Sequence, residues 1–318
     1  MKITQHLEEK KGKTLYSLEI VPPMKGEGIQ SLYDNLDPLM ALAPCFVDVT
    51  TSREQYVYLE RGGGLVERRI SRMRPGTLGI CAAVQHKYSV DTVPHVLCGG
   101  YTVEETEYLL VDCMYLGIDN LMALRGDPMH GENSFVPAQG GHHYARELVS
   151  HIGRVGRGQF LTDPSPVAEN SRFCVGVAGY PEKHIEAPSL ATDLQRLKEK
   201  VDAGADYVVT QMFFDNNKYF EFVEKARALG ISVPILPGLK PLLVKSHLHM
   251  LPKTFKIDLP DPLSRAVEKA PSAQHIRQIG EEWTIAQGKE LIARGAPALH
   301  FYSMGKSRSV ERIVKALF

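Results

Sequence analysis

Two carboxylates of this 318-residue chain stand in apolar surroundings. Glu19 lies between Leu18 and Ile20, shortly before Pro22-Pro23, and Asp127 closes Arg125-Gly126-Asp127 behind the apolar run Asn120-Leu-Met-Ala-Leu124. Burial disfavours the charged form of a carboxyl, so Glu19 is expected to titrate high enough to deliver a proton near neutrality. The plain alternative is a strand-end acid paired with a basic neighbour. Arg125 can grip a phosphate or carboxylate, and Gly126 lets a ligand approach the backbone closely; a buried ion pair in a turn competes with that role. Thr50, His95, Tyr180 with His184, Gln211, and His300 with Tyr302 add hydroxyl, imidazole, amide and phenol groups. Asp193, Arg196, Leu197 and Lys200 fall on one face of a helix. Such a set is by default a solvated surface, and it gains interest because Tyr180 and His184 lie on the loop leading into that helix.

Other chemistries lack their residues. No H-x-H ends the first strand, and neither G-x-x-x-x-G-K-[ST] nor G-x-S-x-G occurs. Gly62-Gly-Gly64 has no lysine behind it and reads as a flexible turn, while Gly153, Gly156 and Gly158 are wrongly spaced for a dinucleotide loop. His142-His143 and His247-x-His249 have no neighbouring acid or thiol with which to hold a metal. A site without nucleophile or metal reads as one built around a bound organic cofactor.

The elements that would position these groups are strands alternating with helices. Short, nearly continuous apolar runs, the mark of strands covered on both faces, occur at 14–21, 46–50, 92–98, 120–125, 173–178, 207–212, 233–237 and 298–303. Thr77-Leu-Gly-Ile-Cys-Ala-Ala-Val84 is a ninth strand candidate. Amphipathic segments at 103–116, 190–203, 217–229 and 281–294 each end at a glycine, the expected helix stop. About eight strands with alternating helices fit a (βα)8 TIM barrel, α/β in class, better than an open doubly wound sheet. In a barrel the loops that follow strands face the active site, so 128–141 is a candidate lid, and 156–172 is a structural loop. Every residue singled out above as chemical, apart from the helix face, lies at or just past the C-terminal end of a predicted strand.

Lys+Arg and Asp+Glu number 37 each, so nothing supplies the basic excess that a nucleic-acid binder needs. The N-terminal stretch is charged throughout, unlike a signal peptide, and no apolar run reaches membrane-spanning length. The five cysteines are scattered singly, as reduced thiols. The expectation is a soluble cytoplasmic protein of one domain over residues 1–318, with a short N-terminal helix.

The chain resembles the catalytic barrel of methylenetetrahydrofolate reductases over nearly its whole length. The resemblance rests on Ser17-Leu-Glu-Ile-Val-Pro-Pro23, Phe46-Val-Asp-Val-Thr50, Pro94-His95, Ala123-Leu-Arg-Gly-Asp-Pro128 and Tyr144-Ala-Arg-Glu-Leu-Val149. It continues through Val177-Ala-Gly-Tyr-Pro-Glu-Lys-His184, Lys200-Val-Asp-Ala-Gly-Ala-Asp206, Thr210-Gln-Met-Phe-Phe-Asp215, Pro237-Gly238 and His300-Phe-Tyr302. It implies a flavoprotein that reduces 5,10-methylenetetrahydrofolate to 5-methyltetrahydrofolate for methionine synthesis. NADH or NADPH would supply the electrons through bound FAD by a ping-pong route, and the enzyme would be a homo-oligomer. By the same resemblance Glu19 is the acid that helps open the folate's five-membered ring, and Asp127 lies near flavin and pterin. Gln211 bonds the pterin edge, while His247 and Lys306 take substrate-binding positions. Thr50, His95, Arg125, Gly126, Asp127, Tyr144, Ala145, Tyr180, His184, Asp193 and Lys200 fall where the family contacts FAD. Leu251 stands where an aromatic often stacks on nicotinamide and folate. The S-adenosylmethionine-sensing regulatory domain of eukaryotic relatives is expected to be absent. Two rival functions are a barrel lyase using Lys240 as a Schiff base and a folate or flavin binder without turnover.

Overall fold

The computed structural model describes residues 1–129, 132, 134–165, 172–303 and 307–318. A short helix, α1 (Ile3–Glu9), precedes the first strand, β1 (Leu15–Ile20), and α2 (Ile29–Met40) returns the chain to β2 (Phe46–Val49). An antiparallel hairpin follows, β3 (Gln55–Glu60) with β4 (Val66–Ser71), then α3 (Thr77–Tyr88) and β5 (Asp91–Leu97). The alternation continues as α4 (Val103–Tyr115), β6 (Asn120–Leu124), α5 (Ala145–Val155), β7 (Cys174–Gly179), α6 (Leu190–Asp202), β8 (Tyr207–Thr210) and α7 (Asn216–Ala228). Two short strands, β9 (Ile235–Leu236) and β10 (Gly238–Leu239), lead to α8 (His247–Phe255), α9 (Asp261–Lys269), α10 (Ala273–Ala293), β11 (Ala298–Tyr302) and α11 (Ser307–Leu317).

Nine parallel strands form one nearly closed barrel in the order β10-β11-β1-β2-β5-β6-β7-β8-β9. All eight strands expected from the sequence are present, the seventh split by Pro237 into β9 and β10. β9 pairs with β8 (Val209↔Leu236), and β10 pairs with β11 (Gly238↔His300). Proline has no N–H for the ladder, so the seam is tied by other bonds. The Gly238 amide donates to Thr210 Oγ1 at 3.0 Å, and the Tyr302 hydroxyl donates to the Thr210 carbonyl at 2.7 Å. Only glycine fits here, since a Cβ on Gly238 would lie 2.2 Å from that carbonyl oxygen.

The ninth strand expected at 77–84 is instead the start of α3, capped at Gly76. The segment is apolar throughout, and an unbroken apolar run does not distinguish a buried strand from a buried helix. The hairpin was not expected. β4 carries charges on both faces, and β3 offers only Tyr56-Val-Tyr-Leu59, a run without alternation, so no single apolar face announced them; both strands are largely exposed. Gly62, Gly63 and Gly64 form its turn with φ of 78°, 60° and 77°, the left-handed region open to glycine.

Two apolar layers hold the barrel. Outward-facing residues such as Leu18, Val47, Val96, Leu121 and Val177 pack under the helices. Inward-facing Phe46, Val93, Met122, Cys174, Tyr207, Leu236 and Ala298 fill the lower interior together with Ile3. Ile3 comes from α1, which closes the bottom: its amide donates to Asn120 Oδ1 at 2.9 Å, and His6 Nε2 lies 2.6 Å from Asp91. The five cysteines are free thiols, four buried and Cys45 half-buried. Among the described residues no helix is long and apolar enough to cross a membrane.

Candidate active site

With the bottom sealed, the open end of the barrel is the end where the strands finish. A cavity of about 820 Å³ lies there, within the range of small-molecule sites. Its wall includes Glu19, Thr50, His95, Arg125, Gly126, Asp127, Tyr144, Ala145, Tyr180, His184, Asp193, Lys200 and Gln211, which the sequence singled out from eight separate segments.

The floor is a cluster of acids and imidazoles. Side chains alternate along a strand, so Ser17 and Glu19 on β1, Phe46 and Asp48 on β2, and His300 and Tyr302 on β11 all point inward. Glu19 and Asp48 are register partners on adjacent strands. His95 Nε2 lies 3.5 Å from Glu19 Oε2 and 3.5 Å from Asp48 Oδ2. His300 stacks on Phe46, shares a 2.9 Å hydrogen bond with Ser17 through Nδ1, and brings Nε2 to 3.9 Å from Glu19. Asp48 is fully buried, and neither of its oxygens has a hydrogen-bond partner among the described residues; the same holds for Nε2 of His95 and of His300. A buried polar atom left unsatisfied costs about 1–3 kcal/mol, so the fold maintains this cluster against its own stability.

These neighbours reverse one expectation. Burial alone would raise the Glu19 carboxyl, but His300, His95 and Lys240 outweigh it and hold Glu19 below the usual glutamate value. Burial does raise Asp48, against the pull of His95 and His300. His95 is raised despite its burial, because Asp48 and Glu19 both favour the imidazolium. The neighbours therefore favour a charged Glu19 beside an imidazolium at His95. The potential ligand atoms of Glu19, Asp48 and His300 lie within 4.8 Å of one another.

One side of the cavity is cationic. Arg125 pairs with Glu186 at 2.6 Å and lies over the Phe135 ring, while Arg53 donates to the Asp127 carbonyl at 3.0 Å. Asp193 accepts from the His184 amide at 2.9 Å, and the His184 ring packs edge-on against Tyr180. Lys200 donates to the Ala178 carbonyl, and burial pushes its ammonium down to about 8, although Asp193 favours the charge. The helix face that could have been a solvated surface thus turns Asp193 and Lys200 into the cavity. Tyr144, half exposed, caps the N-terminus of α5, and Ala145 opens that helix.

Other expected positions differ. His247 opens α8, where its Nδ1 accepts from the Leu243 amide at 3.3 Å, and it is not part of the cavity wall. Lys306 lies outside the described residues, as do parts of the expected lid at 128–141 and of the loop at 156–172. Leu251 is fully buried in a satellite core under α8 to α10, whereas Phe255, one turn further on, lines the cavity. Asp48 also lines the cavity and was not among the expected site residues, and Lys240, named only for the rival lyase, lines it too. The signal for Asp48 was present: a carboxylate inside Phe46-Val-Asp-Val49, a strand buried on both faces, must have a partner or a task.

A parallel α/β barrel with a roomy cavity at its strand ends, an acid–imidazole floor and one cationic wall has the layout of a barrel enzyme, with room for an organic ligand above titratable groups. Residues 2–318 match the family model described as methylenetetrahydrofolate reductase. The chain belongs to the methylenetetrahydrofolate reductase family. It is 32% identical to "Methylenetetrahydrofolate reductase (NADH) 1" of Arabidopsis thaliana, an alignment covering 100% of this chain and 51% of the plant protein. It is 28% identical to the 5,10-methylenetetrahydrofolate reductase of Pectobacterium carotovorum, covering 96% of this chain and 90% of the bacterial one. The chain thus spans about half the length of the plant relative. Among solved structures, an uncharacterized protein from Clostridium thermocellum that binds two copies of 5-methyl-5,6,7,8-tetrahydrofolic acid shares the fold. It has a TM-score of 0.58 at 13% identity and covers 99% of this chain and 97% of that one.

Proposed function

We propose that this barrel is a cytoplasmic, FAD-dependent methylenetetrahydrofolate reductase, a single catalytic unit over residues 1–318 that works as a homo-oligomer and supplies methyl groups for methionine synthesis. The observation that carries this is the coincidence of an acid–imidazole floor with a cationic wall in one cavity of a chain of this family. NADH or NADPH would be the reductant, and 5,10-methylenetetrahydrofolate the acceptor, each using the same place in turn. The folate bound by the structural neighbour from Clostridium thermocellum is consistent with a pterin ligand.

The cavity suits FAD on one specific ground. Lys200 is an ammonium held largely out of water, with Asp193 near enough to favour its charge but in no ion pair with it among the described residues, and an anionic phosphate would satisfy it. Arg125, Gly126, Asp127, Tyr180, His184, Asp193 and Lys200 would hold the dinucleotide along β6, β7 and α6, with Thr50, His95, Tyr144 and Ala145 around it. When bound, FAD supplies hydride transfer. Glu19 delivers a proton to the nitrogen released as the folate's five-membered ring opens, and Asp127 stabilises positive charge on the iminium so formed. Gln211 bonds the pterin edge, Lys306 serves the rest of the folate, and Phe255 takes over the stacking role left by Leu251. A Schiff-base lyase would also want Lys240 in the cavity, but the family match favours the reductase, and a pure binder has no need of an acid at Glu19.

The test is an anaerobic absorption experiment on the purified protein. A flavin spectrum should bleach on addition of NADH or NADPH and return on addition of methylenetetrahydrofolate. Bleaching without return would replace the folate by another acceptor, and a protein that takes up no FAD would end the reductase assignment.

A further inference from the structure

We propose that Asp48 is a positioning residue for the folate half of the reaction: from beneath Glu19 it holds His95 as an imidazolium, and His95 restores the proton that Glu19 gives to the departing folate nitrogen. This rests on the reductase function proposed above.

The geometry requires some such arrangement. Glu19 and Asp48 are register partners on neighbouring strands, both facing inward, with Glu19 only 13% exposed and Asp48 fully enclosed. Two carboxylates this close in a poorly solvated floor cannot both stay charged without a cation or a shared proton. His95 is placed to provide it, its Nε2 equidistant at 3.5 Å from one oxygen of each. The remaining groups around the cluster do less for Asp48. From β11, His300 lies beside Glu19 and Tyr302 carries its hydroxyl away to Thr210. From just past β10, Lys240 acts on Glu19. From β8, the buried hydroxyl of Tyr207 has no hydrogen-bond partner among the described residues, and Ser17 on β1 is bonded to His300.

The transfer balances without a change of oxidation state. As Glu19 loses its proton to the folate nitrogen, the N–H bond at His95 Nε2 breaks and an O–H bond forms at Glu19 Oε2. The neutral imidazole is then recharged from solvent through the open cavity, drawn by the negative charge of Asp48. A purely structural Asp48 would affect stability without moving any proton equilibrium.

The experiment follows the folate half-reaction against pH in the FAD-loaded wild type and in Asp48→Asn. If the wild type does not bleach with nicotinamide and recolour with folate, the reductase function fails by itself and the variant is not needed. Given that cycle, the variant should lose about ten-fold in the folate half-reaction near neutrality, a fraction of the roughly 10²–10⁴-fold that general acid catalysis contributes. Its alkaline limb should also move to lower pH, because an imidazolium without the Asp48 charge gives up its proton sooner. A readout independent of turnover is the His95 ring nitrogen signal in histidine-labelled protein, identified by its disappearance in His95→Gln. In the wild type it should stay protonated above the ordinary imidazole range near ~6.5, and Asp48→Asn should lower its midpoint. A limb and a midpoint that both stay in place would overturn the proposal. Should Asp48→Asn not fold, Asp48→Ser is measured instead, and a wild-type His95 that titrates below the ordinary range would suffice to refute it.

Discussion

Lys200 in the wall of the cavity and Glu19 in its floor both depend on neighbours that a linear sequence does not display. Lys200 has its ammonium pushed down to about 8 by burial, with Asp193 opposing the shift. Below that pH it is charged and suited to a phosphate; above it the cation is lost. FAD affinity should therefore fall as pH rises from 7 to 9, and binding near pH 8 should take up protons, which calorimetry in buffers of different ionisation enthalpy would measure. Lys200→Met should weaken FAD about 10- to 100-fold, the range of one charge-assisted hydrogen bond, and should abolish that pH dependence. If the affinity of the wild type is flat over this range, Lys200 does not meet the phosphates. At this scale the sequence was legible in residue type and position but not in charge state. Glu19 was expected high because burial was foreseeable, whereas His300 lies 281 residues further along the chain, and its approach to 3.9 Å exists only once the barrel has closed. Asp48 was overlooked because one acid in a four-residue apolar strand looks like noise until its buried neighbours are known.

At the scale of elements, strands buried on both faces declared themselves by unbroken apolar runs, and helices by their glycine stops. What resisted was any segment lacking a contrast between faces. The start of α3 is apolar all round and reads as a strand, while β4 is charged on both faces and β3 has only the four-residue run Tyr56-Val-Tyr-Leu59 between polar ends. The split seventh strand is the element on which closure turns. Gly238→Ala would drive a Cβ toward the Thr210 carbonyl and displace the strand that carries Lys240. Overpacking of this kind costs about 1–3 kcal/mol, occasionally more, and the change should appear as a lower denaturation midpoint with an unchanged slope. A midpoint matching the wild type would mean that the seam is looser than its 3.0 and 2.7 Å hydrogen bonds indicate.

For the molecule as a whole, the two ends of the barrel do different work. The bottom is shut by α1, whose Ile3 is wholly buried against Phe46 and Cys174 in the lower core. Removing residues 1–10 would expose that core and release the Asp91 contact of His6. The loss should be about 3–5 kcal/mol from one large buried side chain and its hydrogen bonds, enough to lower Tm by several degrees. FAD uptake at the other end should persist, since no cavity-lining residue comes from α1; simultaneous loss of both would show that the two ends are coupled. The alternation that makes a barrel was readable along the chain, but the plug was not, because a seven-residue helix becomes structural only through the hole it fills.

The pairing of β1 with β11 joins Leu15 to Ala298. As the chain leaves the ribosome, the first strand must therefore wait for nearly the whole protein to be made before its outer edge finds a partner. Until then the growing sheet carries a row of bare amide and carbonyl groups, a template for pairing with other nascent chains. A contact this distant in sequence also slows closure itself. Messages truncated before residue 298 should accordingly yield chains that associate with chaperones or aggregate, even though seven of the eight barrel strands are already present.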